Sequence, residues 1–170
     1  MTRKSFRPSA VPTLDPDGDY LQRVWNASVY PMARSLGMTL RLPPVQPRSR
    51  KALEAAEYAR GEGRFDEMHE ALFRAFFEDG EDIGEDEVLL QIGASVGLER
   101  EGLRFALKEG RHTHKVLADE ELARRLGVGS VPTMFVGLSG QLLERAEAVV
   151  GAQPCSGRIE AAVERTLSRY

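Results

Sequence analysis

The change of hydrophobic period at Gly127 restricts the fold of this chain more than any other feature. Before it, apolar residues recur at helical spacing over residues 113–126, and a glycine commonly follows the last turn of a helix. After it, residues 131–136 form an apolar and partly β-branched run, which indicates a buried strand. A second strand is predicted at residues 146–150, joined to the first as a hairpin. We therefore expect a helix, a glycine-containing loop and a strand pair in that order.

Most of the chain before Gly127 is predicted to be helical. Residues 19–36 have apolar side chains at helical spacing, with Pro31 as the kink and Gly37 as the end. Ser49 is the predicted N-cap of a helix with a small-residue face. Residues 3–11 are expected to form an edge strand or an extended arm. Further helices are predicted around residues 65–77, 88–96, 103–107 and 156–168. The residues expected to supply the core are Phe65, Met68, Leu72, Phe73, Phe76, Phe77, Val88, Leu89, Ile92 and Val96, and the short helix carries Leu103, Phe105 and Leu107.

The composition is that of one soluble globular domain. Of the 170 residues, 42% are hydrophobic and 29% are charged, which is enough apolar material for a single core. The net charge of −3 does not attract a phosphate backbone, so nucleic acid is not an expected partner. No apolar run has the length of a membrane span or the position of a secretory signal, so we expect a cytoplasmic location without membrane association.

Two segments resemble DsbA-like thioredoxin domains. The first is Leu126-Gly127-Val128-Gly129-Ser130-Val131-Pro132-Thr133 with the strand that follows it, the later Gly151-Ala152-Gln153 and the last helix. The second, residues 73–84, resembles the helical insertion of a cytoplasmic branch that includes FrnE-like proteins and hydroxychromene-carboxylate isomerases. The resemblance extends over about residues 49–170. It implies an α/β thioredoxin-like fold in a single domain 1–170, with a helical insertion at about 15–110 and a thioredoxin-like part at about 1–14 and 111–170.

The chain departs from this family at its start. Members normally begin with a strand and a helix that carries Cys-x-x-Cys, or a serine in the isomerase branch, and this sequence contains neither. The resemblance therefore implies an N-terminally abbreviated relative of thiol-disulfide oxidoreductases that has no dithiol redox activity of its own. Three alternatives remain for the missing central strand. The N-terminal arm substitutes for it, a partner chain covers the gap, or the sequence begins too late.

The resemblance also implies where a ligand binds. In the family the proline peptide is cis and turns the backbone of the preceding residue outward. Val131, Pro132 and Thr133 are therefore the predicted substrate-binding residues, for an extended peptide, glutathione or a partner subunit. No catalytic residue, metal or obligatory cofactor is predicted. The alternative is a groove that persists without a ligand.

The remaining chemically distinctive residues are expected to be structural. Cys155 is the only cysteine and lies at the start of the last helix, where a thiolate is stabilised, but no second thiol resolves an adduct. His112 and His114 are expected on the surface and His69 at the edge of an apolar stripe. The acidic residues around Gly80 and Gly84 do not have the spacing of an EF-hand loop.

The first predicted helix bears on the oligomeric state. Tyr20, Trp25, Tyr30 and Met32 are expected in the core, with an exposed partner surface as the alternative. An uncovered sheet edge or apolar face favours pairing with a second chain. We therefore expect a homodimer.

Overall fold

The structure is a computed structural model that describes residues 18–151 and 157–168. The predicted arm at residues 3–11 and Cys155 lie outside the described residues. The described chain is mostly helical, with one two-stranded sheet, and divides into two compact units, one ending at Leu117 and one beginning at Ala118. The helices before the boundary are α1 (Asp19–Val24), α2 (Tyr30–Ser35), α3 (Arg50–Gly61), α4 (Phe65–Arg74), α5 (Asp86–Ser95) and α6 (Arg100–Lys108), and α7 (Thr113–Arg125) spans it.

A π-helical turn, Trp25–Val29, joins α1 to α2 without a break. The amide of Tyr30 donates to the carbonyl of Trp25, five residues back, immediately before the proline that has no amide hydrogen to donate. The predicted kink at Pro31 is thus accommodated by a wider turn just before it. The run ends at Gly37, which has a φ of +67°.

The core of the first unit lies among α3, α4, α5 and α6. The alanine face predicted for α3 is buried there, and it permits the close helix contact expected of small side chains. Close contact also explains Gly93 on α5, because a Cβ at this position would lie 2.5 Å from Cδ2 of Leu103 on α6. The largest side chains in this core include Met68, Leu72, Leu89, Leu90, Leu103 and Leu107.

Two phenylalanines of the predicted helices do not face the core. Phe105 is 48% exposed, whereas Leu103, Ala106 and Leu107 are buried. Residues two apart on a helix point about 200° apart, so Leu103 and Phe105 cannot both face inward. Phe73 is 53% exposed because its neighbour Leu72 takes the inward position. The core prediction was therefore wrong for the side chain of Phe73, although both helices form.

Ser49 occupies the N-cap position of α3, as predicted, but its hydroxyl makes no capping hydrogen bond. The Ser49 carbonyl instead accepts the first hydrogen bond of the helix from the amide of Leu53, at 3.1 Å. Ser49 therefore begins α3 through its backbone alone.

The second unit contains the strand pair. Strand β1 (Thr133–Val136) runs antiparallel to β2 (Glu147–Val150), with Thr133 opposite Val150. The first strand begins two residues later than predicted, which leaves Val131 and Pro132 in the loop. Helix α8 (Gly157–Leu167) packs against the pair, and a small core forms from Val149 and Ala162 with Val136 and Ile159 beside them.

Candidate functional site

The loop between α7 and β1 begins with a tight reversal at Gly127. This glycine has a φ of +73°, a conformation that side-chain-bearing residues rarely adopt. The amide of Val128 donates to the carbonyl of Ala123 at 2.9 Å, which completes the bonding of the last helical turn. The predicted helix stop is therefore confirmed, and it fixes the start of the loop.

The three predicted binding residues are adjacent at the end of this loop. Val131 is 64% exposed, and its peptide bond to Pro132 is cis. Thr133 is half-buried, and its hydroxyl donates to the carbonyl of Ser130 at 2.7 Å, which closes the loop on itself. Solvent thus reaches Val131 and Pro132, while Thr133 has a structural hydrogen bond.

Backbone hydrogen bonding distinguishes Val131 from its neighbour. The carbonyl of Pro132 accepts from the amide of Gly151 at 2.8 Å, which extends the β1–β2 ladder by one pair. Within the part of the chain that the structure describes, no hydrogen bond engages the N–H or C=O of Val131. An exposed, unpaired peptide donor and acceptor is a ready site for an extended chain.

One edge of β1 is also open within the described residues, because β2 alone pairs with it. In an antiparallel ladder, backbone groups of successive residues point to opposite edges. Since Pro132 bonds toward β2, the backbone groups of Thr133 point to the opposite edge. The open edge therefore begins directly beside Val131.

An ion pair between α8 and β2 stabilises the strand whose end pairs with the loop. The guanidinium of Arg165 lies 2.6 Å from the carboxylate of Glu147, and two of its nitrogens donate to it. These hydrogen bonds raise the pKa of Arg165 above its ordinary value. The pair holds the helix against the strand that leads into the Gly151 amide.

Comparison with known proteins identifies this arrangement. Residues 22–157 match the DSBA-like thioredoxin domain. The chain belongs to this family. It is also 30% identical over 138 residues to the uncharacterized protein YwbO of Bacillus subtilis (strain 168). The aligned region covers 78% of this chain and 68% of YwbO. The α/β thioredoxin-like fold with a helical insertion is thereby confirmed, and the DsbA-like family is related to thiol-disulfide oxidoreductases.

The histidines occupy different environments. His112 is half-buried beside Tyr58, with 6.1 Å between ring centroids, and His114 is exposed. His69 is exposed and packs between Phe65 and Phe73. Among residues 18–151 and 157–168, no three His, Cys, Asp or Glu side chains are grouped as metal ligands would be. Within the same ranges, no helix has both the length and the apolar character needed to cross a bilayer.

Two features of the first unit were not predicted. Glu54 of α3 is buried, although it points away from the alanine face, and a cavity of about 190 Å³ lies between α3 and α4. The alanines at residues 52 and 56 are the one sequence signal for the cavity, since small side chains opposite large rings leave space.

Proposed function

We propose that this protein is a DsbA-family relative without dithiol redox activity of its own, which binds an extended peptide backbone through Val131. Pro132 and Thr133 shape the site. The observation that carries the proposal is the exposed Val131 peptide group, whose donor and acceptor bond to no described residue, at the end of an open strand edge. A peptide that supplies one acceptor and one donor satisfies both groups.

Thiol stoichiometry supports the proposed lack of dithiol redox activity. A dithiol oxidoreductase needs one thiolate to attack a disulfide and a second thiol to resolve the mixed disulfide. This chain has one cysteine, Cys155, so it cannot form the internal disulfide that completes the cycle. Binding at Val131 requires no thiol and is compatible with this composition.

The test uses two variants of the same residue. Val131→Pro removes the backbone donor, whereas Val131→Ala shortens the side chain and keeps the donor. The probe is a tetra-alanine peptide with blocked ends. Its binding is monitored by NMR titration through the amide chemical shifts of residues 127–136. Since one hydrogen bond contributes about 1 kcal/mol, we expect Val131→Pro to bind roughly fivefold more weakly and Val131→Ala to match the parent.

Two results would contradict the proposal. One is peptide binding that leaves the Val131 amide shift of the parent protein unchanged. The other is equal affinity in the parent and in a folded Val131→Pro variant. If Val131→Pro does not fold, the parent titration still decides, because it reports directly on the Val131 amide.

Glutathione is the alternative ligand, because it also presents an extended backbone. A titration with glutathione in its reduced form, under the same conditions, separates the two. Saturation by glutathione, with no response to tetra-alanine, assigns the site to the small thiol.

We further infer that the chain belongs to the FrnE-like branch and acts in the cytoplasm. The similarity of residues 73–84 to the helical insertion of that branch supports the first point. The single cysteine agrees with a reducing compartment and supports the second. Cell fractionation with an antibody against the protein tests the location.

We also propose that the protein is a homodimer in which α1 and α2 pair across a twofold axis. Trp25 of this helical run is buried, as expected, but the expectation was wrong for Tyr20 and Met32. Four large apolar residues of the run are exposed: Tyr20, Val24, Met32 and Leu36. They lie four or eight positions on either side of Ser28, which is itself exposed. An antiparallel pair centred on Ser28 would place Tyr20 opposite Leu36 and Val24 opposite Met32. This is the self-complementarity that an isologous interface requires.

A further inference from the structure

The cavity between α3 and α4 belongs to the first unit and is built from two unlike sides. One side consists of small and aliphatic residues of α3, with Ala52 and Ala56 buried at its floor. The other side consists of rings from α4 and the π turn that follows it (Ala75–Asp79). Its volume is about 190 Å³. The rings are those of His69, Phe73, Phe76 and Phe77.

Three of these rings, His69, Phe73 and Phe77, continue a ladder that begins at Phe65 and runs along α4 into the π turn. Residues 65, 69, 73 and 77 recur every four positions, so they share one face of the helix. The ring centroids of His69 and Phe73 are 4.8 Å apart, and those of Phe73 and Phe77 are 5.9 Å apart with planes inclined by 22°. These separations lie in the range that aromatic pairs prefer. The ladder therefore offers a preformed aromatic surface to whatever occupies the cavity.

The lining also indicates what the occupant is not. Among the described residues that line the cavity, none carries a carboxylate, an ammonium or a guanidinium, and only Ser49 and His69 have polar side chains. A charged ligand would lose its hydration at this surface without gaining an ion pair. An uncharged apolar ligand would bury its own apolar surface and also the exposed apolar surface of Phe73, and both contributions favour binding.

We propose that this cavity binds a flat, uncharged aromatic molecule of one or two rings. The size fits, because an engineered apolar cavity of about 150 Å³ accepts benzene and this cavity is somewhat larger. The shape and chemistry fit as well, because offset stacking on the ring ladder favours a planar aromatic over a saturated ligand of equal size. The site is independent of Val131, so this proposal stands whether or not the peptide-binding proposal does.

The experiment titrates the full chain with naphthalene and follows the methyl carbons by NMR. Ring currents of a bound aromatic should shift the methyl signals of Ala52 and Ala56, with saturation. Ala56→Leu fills the cavity and should weaken naphthalene binding at least tenfold. Decalin, which has the same carbon skeleton without flat rings, should bind at least fivefold more weakly than naphthalene.

Phe73→Ala and Phe105→Ala form a matched pair of controls. Both residues are phenylalanines about half-exposed on helices, and Phe73 lines the cavity whereas Phe105 does not. We expect Phe73→Ala to weaken naphthalene binding at least threefold and Phe105→Ala to leave it unchanged. Since Phe73 is exposed, this pair remains informative if Ala56→Leu fails to fold.

Three outcomes would overturn the proposal. The first is the absence of saturable methyl shifts up to the solubility limit of naphthalene. The second is undiminished binding in a folded Ala56→Leu variant or in Phe73→Ala, which would place the ligand elsewhere. The third is an affinity for decalin equal to that for naphthalene, which would show that the cavity binds apolar molecules without preference for aromatic ones.

Discussion

The hydroxyl of Thr113 donates a hydrogen bond to the buried carboxylate of Glu54, with 2.9 Å between Oγ1 and Oε1. Glu54 is only 4% exposed, and its other described partner is Arg50, whose Nε lies 3.8 Å away. A buried carboxylate that loses a donor keeps its desolvation penalty without compensation. We expect Thr113→Val, which keeps the shape and removes the hydroxyl, to lower the free energy of unfolding by about 1–3 kcal/mol in urea denaturation at neutral pH.

Thr113→Ser is the control for this prediction, because it keeps the hydroxyl and removes only the methyl group. It should destabilise the protein less than Thr113→Val does. A Thr113→Val variant as stable as the parent would show that the hydrogen bond contributes nothing net.

The pair formed by Arg100 on α6 and Glu87 on α5 predicts a pH dependence. The hydrogen bond from Arg100 lowers the pKa of Glu87 below its ordinary value of 4.5, and the charge of Arg104 acts in the same direction. A carboxyl whose folded-state pKa is depressed adds stability above its unfolded pKa, and this stability is lost as the pH falls through the folded-state pKa. Arg100→Gln should therefore be less stable than the parent at pH 7.

The difference between the parent and Arg100→Gln should shrink as the pH falls below 4.5 and vanish once Glu87 is protonated in both folded proteins. Urea midpoints measured across the acid range provide the test, and salt should reduce the difference at pH 7 because both side chains are exposed. A difference that persists unchanged at the acid end would mean that Arg100 stabilises α6 by packing rather than by its charge.

Redox assays should detect no dithiol catalysis by this chain. We expect insulin reduction by dithiothreitol to proceed at the uncatalysed rate in its presence, because Cys155 has no second thiol with which to form an internal disulfide. Cys155→Ser should behave like the parent, and a protein with Cys-x-x-Cys serves as the positive control. Acceleration by the parent that disappears in Cys155→Ser would establish a monothiol mechanism and refute the prediction.

Local signals in the sequence predicted the elements well and the side-chain environments less well. Gly37 and Gly127 end helices at the predicted positions, because glycine adopts a positive φ without steric strain whatever its neighbours are. The period change after Gly127 predicted the strand pair, although the first strand starts at Thr133. The resemblance to DsbA-like domains was recognised from the residues of this loop and from residues 73–84, and the family match over residues 22–157 confirmed it.

The features that were missed depend on contacts between distant residues. Glu54 and Thr113 are 59 positions apart, and nothing in either segment indicates that the Glu54 carboxylate will be buried against a hydroxyl. Phe73 was assigned to the core because it is large and apolar, whereas its neighbour Leu72 occupies the inward position. Which of two adjacent apolar residues is buried is decided by the facing helix, and the sequence of one helix does not contain that information.

The proposed pairing of α1 and α2 predicts a change in mass that sedimentation velocity can measure. Val24 is one of the four exposed apolar residues of α1 and α2 in the proposed interface, whereas Leu117 is an exposed leucine on α7, outside that interface. The parent and Leu117→Glu should sediment as dimers at micromolar concentration, whereas Val24→Glu should sediment as a monomer. The reason is that each introduced carboxylate would lie opposite Met32 of the partner subunit in an apolar interface, where its desolvation without an ion pair opposes association. A parent protein that sediments as one chain would refute the dimer, and a dimeric Val24→Glu variant would move the interface to another surface, such as the open edge of β1.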